Sequence, residues 1–220
     1  DVAPSRGLGD VYKRQGYNDP RLPVYFQPVT DGDNKGEYRG VANGMPNPQQ
    51  EDYKAMSSPN VQEKSTDSPL RWMMASEVAF LRAEGAMRGW TAEMGGTAEE
   101  FYNKGIELSF LENGLSADAA ARYAADETSK PTDFTDVSAA NTKYNISALG
   151  KIAIKWNSGA SEEEQLERII TQKWIAMFPN GTEAWSEFRR TGYPRLFPVR
   201  YNYPSSGVDT NKQIRRMVFP

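Results

Sequence analysis

Residues 164–196 read EQLERIITQKWIAMFPNGTEAWSEFRRTGYPRL, two amphipathic segments broken at Pro179-Asn180-Gly181 and closed at Gly192-Tyr193-Pro194. In the first segment Leu166, Ile169, Ile170, Trp174, Met177 and Phe178 recur at helical spacing and predict one apolar face. Ser161 followed by Glu162, Glu163 and Glu164 is a helix start, because a hydroxyl can accept from the first free N–H groups and acids suit the positive end of the helix dipole. Glu164 and Arg168 have ion-pair spacing. Thr182 is expected to cap the second helix, which carries Trp185 and Phe188 inward as far as Gly192. A helical hairpin over 161–192 follows.

Upstream, the run from Leu70 to Arg88 places apolar residues around much of the wheel, Trp72 among them, which predicts a helix buried on most sides. Ser68-Pro69 is its expected start and Gly89 its stop. Thr97 and Glu100 have capping-box spacing ahead of a helix that ends at Asn113-Gly114, and a short helix fits Ser116 to Ala125. The pair 69–88 and 97–113 has the size of a tetratricopeptide hairpin, although no second copy recurs at a 34-residue period. Between these lie a loop-rich stretch 16–68, with Val24–Phe26 as a short extended segment, a polar loop 126–160 that contains the apolar Ile152–Trp156, and an irregular tail 193–220. The fold class is therefore mainly α, with helical hairpins, long irregular loops and few short strands. Residues 1–15, which include SRGLGDVYKRQ, show no periodicity and are expected to be a non-native leader.

Composition narrows the chemistry. The 220 residues include no His and no Cys, so imidazole-assisted nucleophiles, thiolate or imidazole zinc sites and disulfides are excluded. A net charge of −3, with Lys and Arg barely outnumbering acids after Ser161, does not make a nucleic-acid footprint. No run of about 18 apolar residues is present to form a membrane-spanning helix. Paired carboxylates remain available at Glu77 and Glu84, at Glu99 and Glu100, and across Glu162–Glu164, which keeps a glycoside hydrolase as an alternative. Ion pairing and helix capping account for the same acids more simply. Asp31, Asp33 and Gly36 resemble the opening of a calcium loop, but Lys35 and Ala42 occupy two ligand positions, so a polar turn is the reading.

Five Trp, eleven Tyr and nine Phe make much of the apolar surface aromatic. Trp72, Trp174 and Trp185 fall on helical apolar faces and are assigned to the core. Tyr38, Trp156, Tyr193, Tyr201 and Tyr203 lie in or beside loops, where a ring can offer its face to the weakly apolar C–H face of a sugar. These five are the candidate ligand-binding residues; no metal and no cofactor is expected.

DPRLPVYFQPV (19–29), YRGVANG (38–44), RWMMASEVAFLRAEGAMRGW (71–90) and QKWIAMFPNGTEAWSEFRRTGYPRL (172–196) resemble the SusD/RagB-like proteins of Bacteroidetes. The order and spacing resemble the later half of such a protein, over roughly residues 17–220. The resemblance implies a surface-exposed outer-membrane lipoprotein that binds oligosaccharides without cleaving them, as a lid on a SusC-like TonB-dependent transporter. It implies peptide uptake as an alternative for RagB-type members. It also implies that the lipid anchor and a preceding half of the fold lie outside this chain. On that reading the helix over 69–88 is expected to leave an apolar face uncovered.

Overall fold

The computed structural model describes residues 16–42, 53, 56–60, 72–137, 139–199 and 209. Seven α-helices are present among them: α1 Leu22–Tyr25, α2 Ala75–Met87, α3 Thr91–Met94, α4 Ala98–Glu112, α5 Ala117–Ala124, α6 Glu162–Ala176 and α7 Gly181–Thr191. A 3₁₀ turn covers Ala139–Tyr144. β-structure among the described residues is limited to two isolated antiparallel bridges, Phe26 with Pro59 and Phe134 with Ile146.

Local chemistry explains the ends of most helices. Thr97 and Glu100 form the full capping box of α4, and Ser116 and Ser161 accept from the N–H three residues on at the starts of α5 and α6. Gly114 and Gly192 leave α4 and α7 with φ of 73° and 82°, values that an L side chain adopts only at a cost.

Three expectations change. The helix expected from Ser68-Pro69 begins at Ala75; residues 61–71 lie outside the described residues, and Met74 is an extended N-cap without a side-chain cap. Its cap comes from elsewhere: Glu112 of α4 accepts from the Ser76 N–H at 3.0 Å and from its hydroxyl at 2.6 Å. Asn180, not Thr182, caps α7, with its Oδ1 accepting from Glu183 N at 3.3 Å. Val24 and Tyr25 belong to the helical turn α1, which Pro23 can open because no partner is required of its nitrogen. The leader assigned to residues 1–15 lies outside the described residues.

α2 and α4 pack as a hairpin, and α6 lies against both, with α5 on α4 and α7 on α6. The contact between α2 and α4 is close because Gly105 has no side chain: a Cβ there would stand 2.7 Å from the Phe80 ring. α6 sits centrally, buried from Leu166 through Ala176, polar residues included. The main core joins Phe80, Tyr102, Ile106, Phe110, Ile169, Ile170 and Ile175 to Tyr17 and Ile154 from the irregular segments. A satellite core forms among the loops from Leu22, Tyr25, Phe26, Phe134, Tyr144 and Ile146, bordered by Tyr38, Phe178 and Phe197.

Candidate functional site

The loop-rich part is held to the helical body by a buried polar junction. Arg21, wholly buried, pairs with Asp19 at 2.7 Å and also donates to Ser109 of α4 at 2.8 Å and Gln172 of α6 at 3.1 Å. The Tyr123 hydroxyl of α5 donates to Asp19 at 3.0 Å, and burial beside that carboxylate holds the phenol far above its usual range. A second attachment uses tyrosine hydroxyls on the 152–154 segment: Tyr17 donates to the Ile152 carbonyl at 3.2 Å and Tyr102 to that of Ile154 at 2.5 Å. These contacts fix where the loops emerge over α4, α5 and α6.

The candidate aromatics divide on this frame. Trp156 is 8% exposed in the main core, its ring 5.2 Å from that of Tyr102. Tyr193 is 5% exposed; its hydroxyl donates to Glu163 at 2.7 Å, and the Arg195 guanidinium lies 5.4 Å from its ring centre. Burial, with the Glu163 carboxylate adding to it, pushes the Tyr193 phenol up to about 12. Both rings are occupied in packing, so in this chain they brace the loops. Tyr38 differs: it is half-buried at the edge of the satellite core. The structure thus places Tyr38 in one cluster and Trp156 and Tyr193 in another. Tyr201 and Tyr203 lie outside the described residues.

Two exposed indoles emerge instead where the sequence pattern did not place them. Trp72, assigned to the core from its helical spacing, is 86% exposed because it precedes α2 rather than lying on it. Trp90, just after α2, is 58% exposed. Trp185 is half-buried on α7 under the Arg189 guanidinium, 4.4 Å from its ring centre.

The carboxylates are engaged structurally. Glu84 accepts from Arg190 through both oxygens at 2.6 Å and from Arg88 at 2.8 Å. Arg190 continues to Glu187, and Glu187 to the buried Lys173 at 2.8 Å, with Glu77 at 3.7 Å and Glu183 at 3.5 Å. This chain of charges links α2, α6 and α7. Burial raises the Glu77 carboxyl although Lys173 opposes it, whereas at Glu84 the Arg190 and Arg88 hydrogen bonds outweigh burial and lower it. Opposite shifts in two carboxylates can mark an acid and a nucleophile, but here burial accounts for that of Glu77 and the two arginine partners for that of Glu84, within one packed ion network. Glu100 caps α4, Glu99 accepts from Ser158 at 3.2 Å, and Glu164 pairs with Arg168 at 2.9 Å. Among the described residues no group of three or more acids stands close enough to hold a metal ion, and no helix is long and apolar enough to cross a membrane.

Comparison with known proteins bears on the same architecture. A family profile described as SusD-like, SusD and RagB outer membrane lipoprotein, matches residues 12–220. A chitin-binding SusD homologue from Flavobacterium johnsoniae is 40% identical with a TM-score of 0.86, over 96% of this chain and 42% of that one. A SusD-like protein from Bacteroides thetaiotaomicron is 42% identical with a TM-score of 0.86, over 96% of this chain and 43% of that one. A SusD homologue from Bacteroides vulgatus is 38% identical with a TM-score of 0.84, over 94% and 41%. The chain therefore spans somewhat under half the length of the solved structures it matches, and no curated protein matches it. The helical hairpins, the near absence of strands among the described residues and the match over residues 12–220 lead to one conclusion: the chain belongs to the SusD/RagB family of outer-membrane lipoproteins.

Proposed function

We propose that the protein to which this chain belongs binds an oligosaccharide nutrient at the outer surface of the outer membrane. It holds the ligand without cleaving it and passes it to a SusC-like TonB-dependent transporter. The observation that carries this reading is the 40% identity, over 96% of the chain, to a homologue described as chitin-binding. The placement of the charges supports a binding role, since the carboxylate pairs are tied into helix caps and ion pairs. Within this chain the proposed contact is aromatic stacking by Tyr38, with Tyr201 and Tyr203 from the tail, while Trp156 and Tyr193 are buried in the main core.

The test is a binding panel on the full-length protein, containing chitin oligosaccharides, other glycans and peptides, together with an assay for released reducing ends. Retention of a glycan with no release is the expected result, and Tyr38→Ala should weaken it by roughly three- to tenfold, the worth of one stacked ring. Binding of peptides alone would replace the glycan reading with a peptide-uptake one. Reducing-end release that disappears in Glu77→Gln or Glu84→Gln would replace it with hydrolysis. Co-purification with the outer-membrane transporter tests the delivery step.

A further inference from the structure

Residues 16–21 form a strap between the 126–160 loop and the helical body. Gly16 lies against the loop backbone so closely that a Cβ would collide with the Lys130 carbonyl oxygen and stand 2.5 Å from the Thr132 nitrogen. Asn18 donates to the Ser129 hydroxyl at 3.2 Å, and Tyr17 reaches the Ile152 carbonyl further along the same loop. Among the described residues Asn18 is the one non-glycine residue with a positive φ, 49°. Asn tolerates that backbone better than most residues, and it persists where the surroundings hold it. At the other end of the strap the Arg21 guanidinium uses all three nitrogens on Asp19, Ser109 of α4 and Gln172 of α6. It lies 4.9 Å from the Phe110 ring centre and 5.2 Å from that of Tyr123. The strap thus registers the 126–160 loop against the helices.

The satellite core draws its residues from both segments that the strap registers. Leu22, Tyr25 and Phe26 follow Arg21 directly, and Phe134, Tyr144 and Ile146 come from the 126–160 loop. Tyr38 packs at the border of this core, and its backbone is pinned on both sides. The Glu37 carbonyl accepts from Val29 N at 2.8 Å, while Arg39 donates to the Ser57 hydroxyl and accepts from Ser57 N, both at 3.0 Å. A ring held in this way binds more tightly than a loose one, because its ordering cost is met before the ligand arrives. We propose that Arg21 is a positioning residue for glycan binding: through the strap it holds Tyr38 and the 134–146 segment in register without itself touching the glycan. The proposal rests on the reading of Tyr38 as a ligand contact.

The test is a double-variant cycle on the full-length protein, with chitin oligosaccharides as the probe and affinity read by calorimetric titration. Arg21→Lys keeps a positive charge opposite Asp19 but loses the planar fork that reaches Ser109 and Gln172. It should weaken binding roughly three- to tenfold, as Tyr38→Ala does, and combining the two should weaken it no further. Tyr123→Phe removes one hydroxyl from Asp19 and should show the same dependence on Tyr38 with a smaller loss, which keeps the test open if Arg21→Lys does not fold. Thr97→Ala removes the capping box of α4 at the end away from Ser109, so it should lower stability and leave affinity unchanged. Unchanged affinity in both junction variants would overturn the proposal and leave the reading of Tyr38 standing. So would losses that add in full to that of Tyr38→Ala, or an equal loss in Thr97→Ala. If the unaltered protein does not retain the probe, or Tyr38→Ala does not weaken binding, the reading of Tyr38 fails and takes this proposal with it.

Discussion

Gly105 and Glu84 show how single positions set the geometry of the body. Alanine at Gly105 would gain up to about 1 kcal/mol of helix propensity. Its methyl would also press on three atoms of the fully buried Phe80 ring, all under 3 Å away, and overpacking of that kind costs about 1–3 kcal/mol. The steric cost prevails, so Gly105→Ala should lower stability in urea melts; an unchanged midpoint would mean that the hairpin can open at no cost. Glu84 and Glu77, two turns apart on α2, should respond in opposite senses to losing their charge. Glu84 is held below its ordinary range, so it stabilises above that range and its contribution fades as pH falls through the lowered value. Glu77 is held above it, so the folded state keeps a proton that the unfolded chain has released, and stability falls as pH rises through that interval. At pH 7 Glu84→Gln should cost roughly 1–3 kcal/mol, below the figure for a wholly buried pair because Arg190 is partly solvated. Glu77→Gln should be neutral or stabilising, and the gap between the two variants should narrow toward pH 3.

Among the elements, the helix ends differ in how far they could be read in advance. Thr97 with Glu100, Ser116, Ser161, Gly114 and Gly192 were legible because a cap is a contact within four residues, and side-chain type selects it directly. Asn180 was misread in favour of Thr182 because Asn and Thr are both good caps; the turn after Met177, closed by Asn180 N on the Met177 carbonyl, decides between them. Asn180→Ala should therefore cost about 1 kcal/mol in thermal melts, and Thr182→Ala much less. Equal costs would return the cap to Thr182. The start of α2 was not legible, since its N-terminal hydrogen bonds come from Glu112, 36 residues away. The candidate site was less legible still. Trp156 and Tyr193 lie beside loops in sequence, yet Tyr102 and Glu163 from distant helices close over them. Trp72 was assigned to the core because the helix was expected to start at Ser68-Pro69 and so to include it, and spacing alone does not show where a helix begins.

For the whole molecule, Arg21 is the residue on which the loops and the body depend together. It touches Asp19 from its own loop, Ser109 from α4 and Gln172 from α6, and it stacks 4.9 Å from the Phe110 ring centre. Arg21→Met leaves the Asp19 carboxylate buried without its base and should cost about 3–5 kcal/mol. Asp19→Asn with Arg21→Met should recover part of that loss, because no uncompensated charge remains. A double variant as unstable as the single one would show that the shape of Arg21 matters more than its charge. The central place of α6 also has a temporal side. About fifty residues separate the end of α4 from the start of α6, so α2 and α4 are synthesised several seconds before the helix that packs against both of them. During that interval Phe80, Ile106 and Phe110 have no cover from the C-terminal side, and the contacts that finally close the core join positions far apart in the chain.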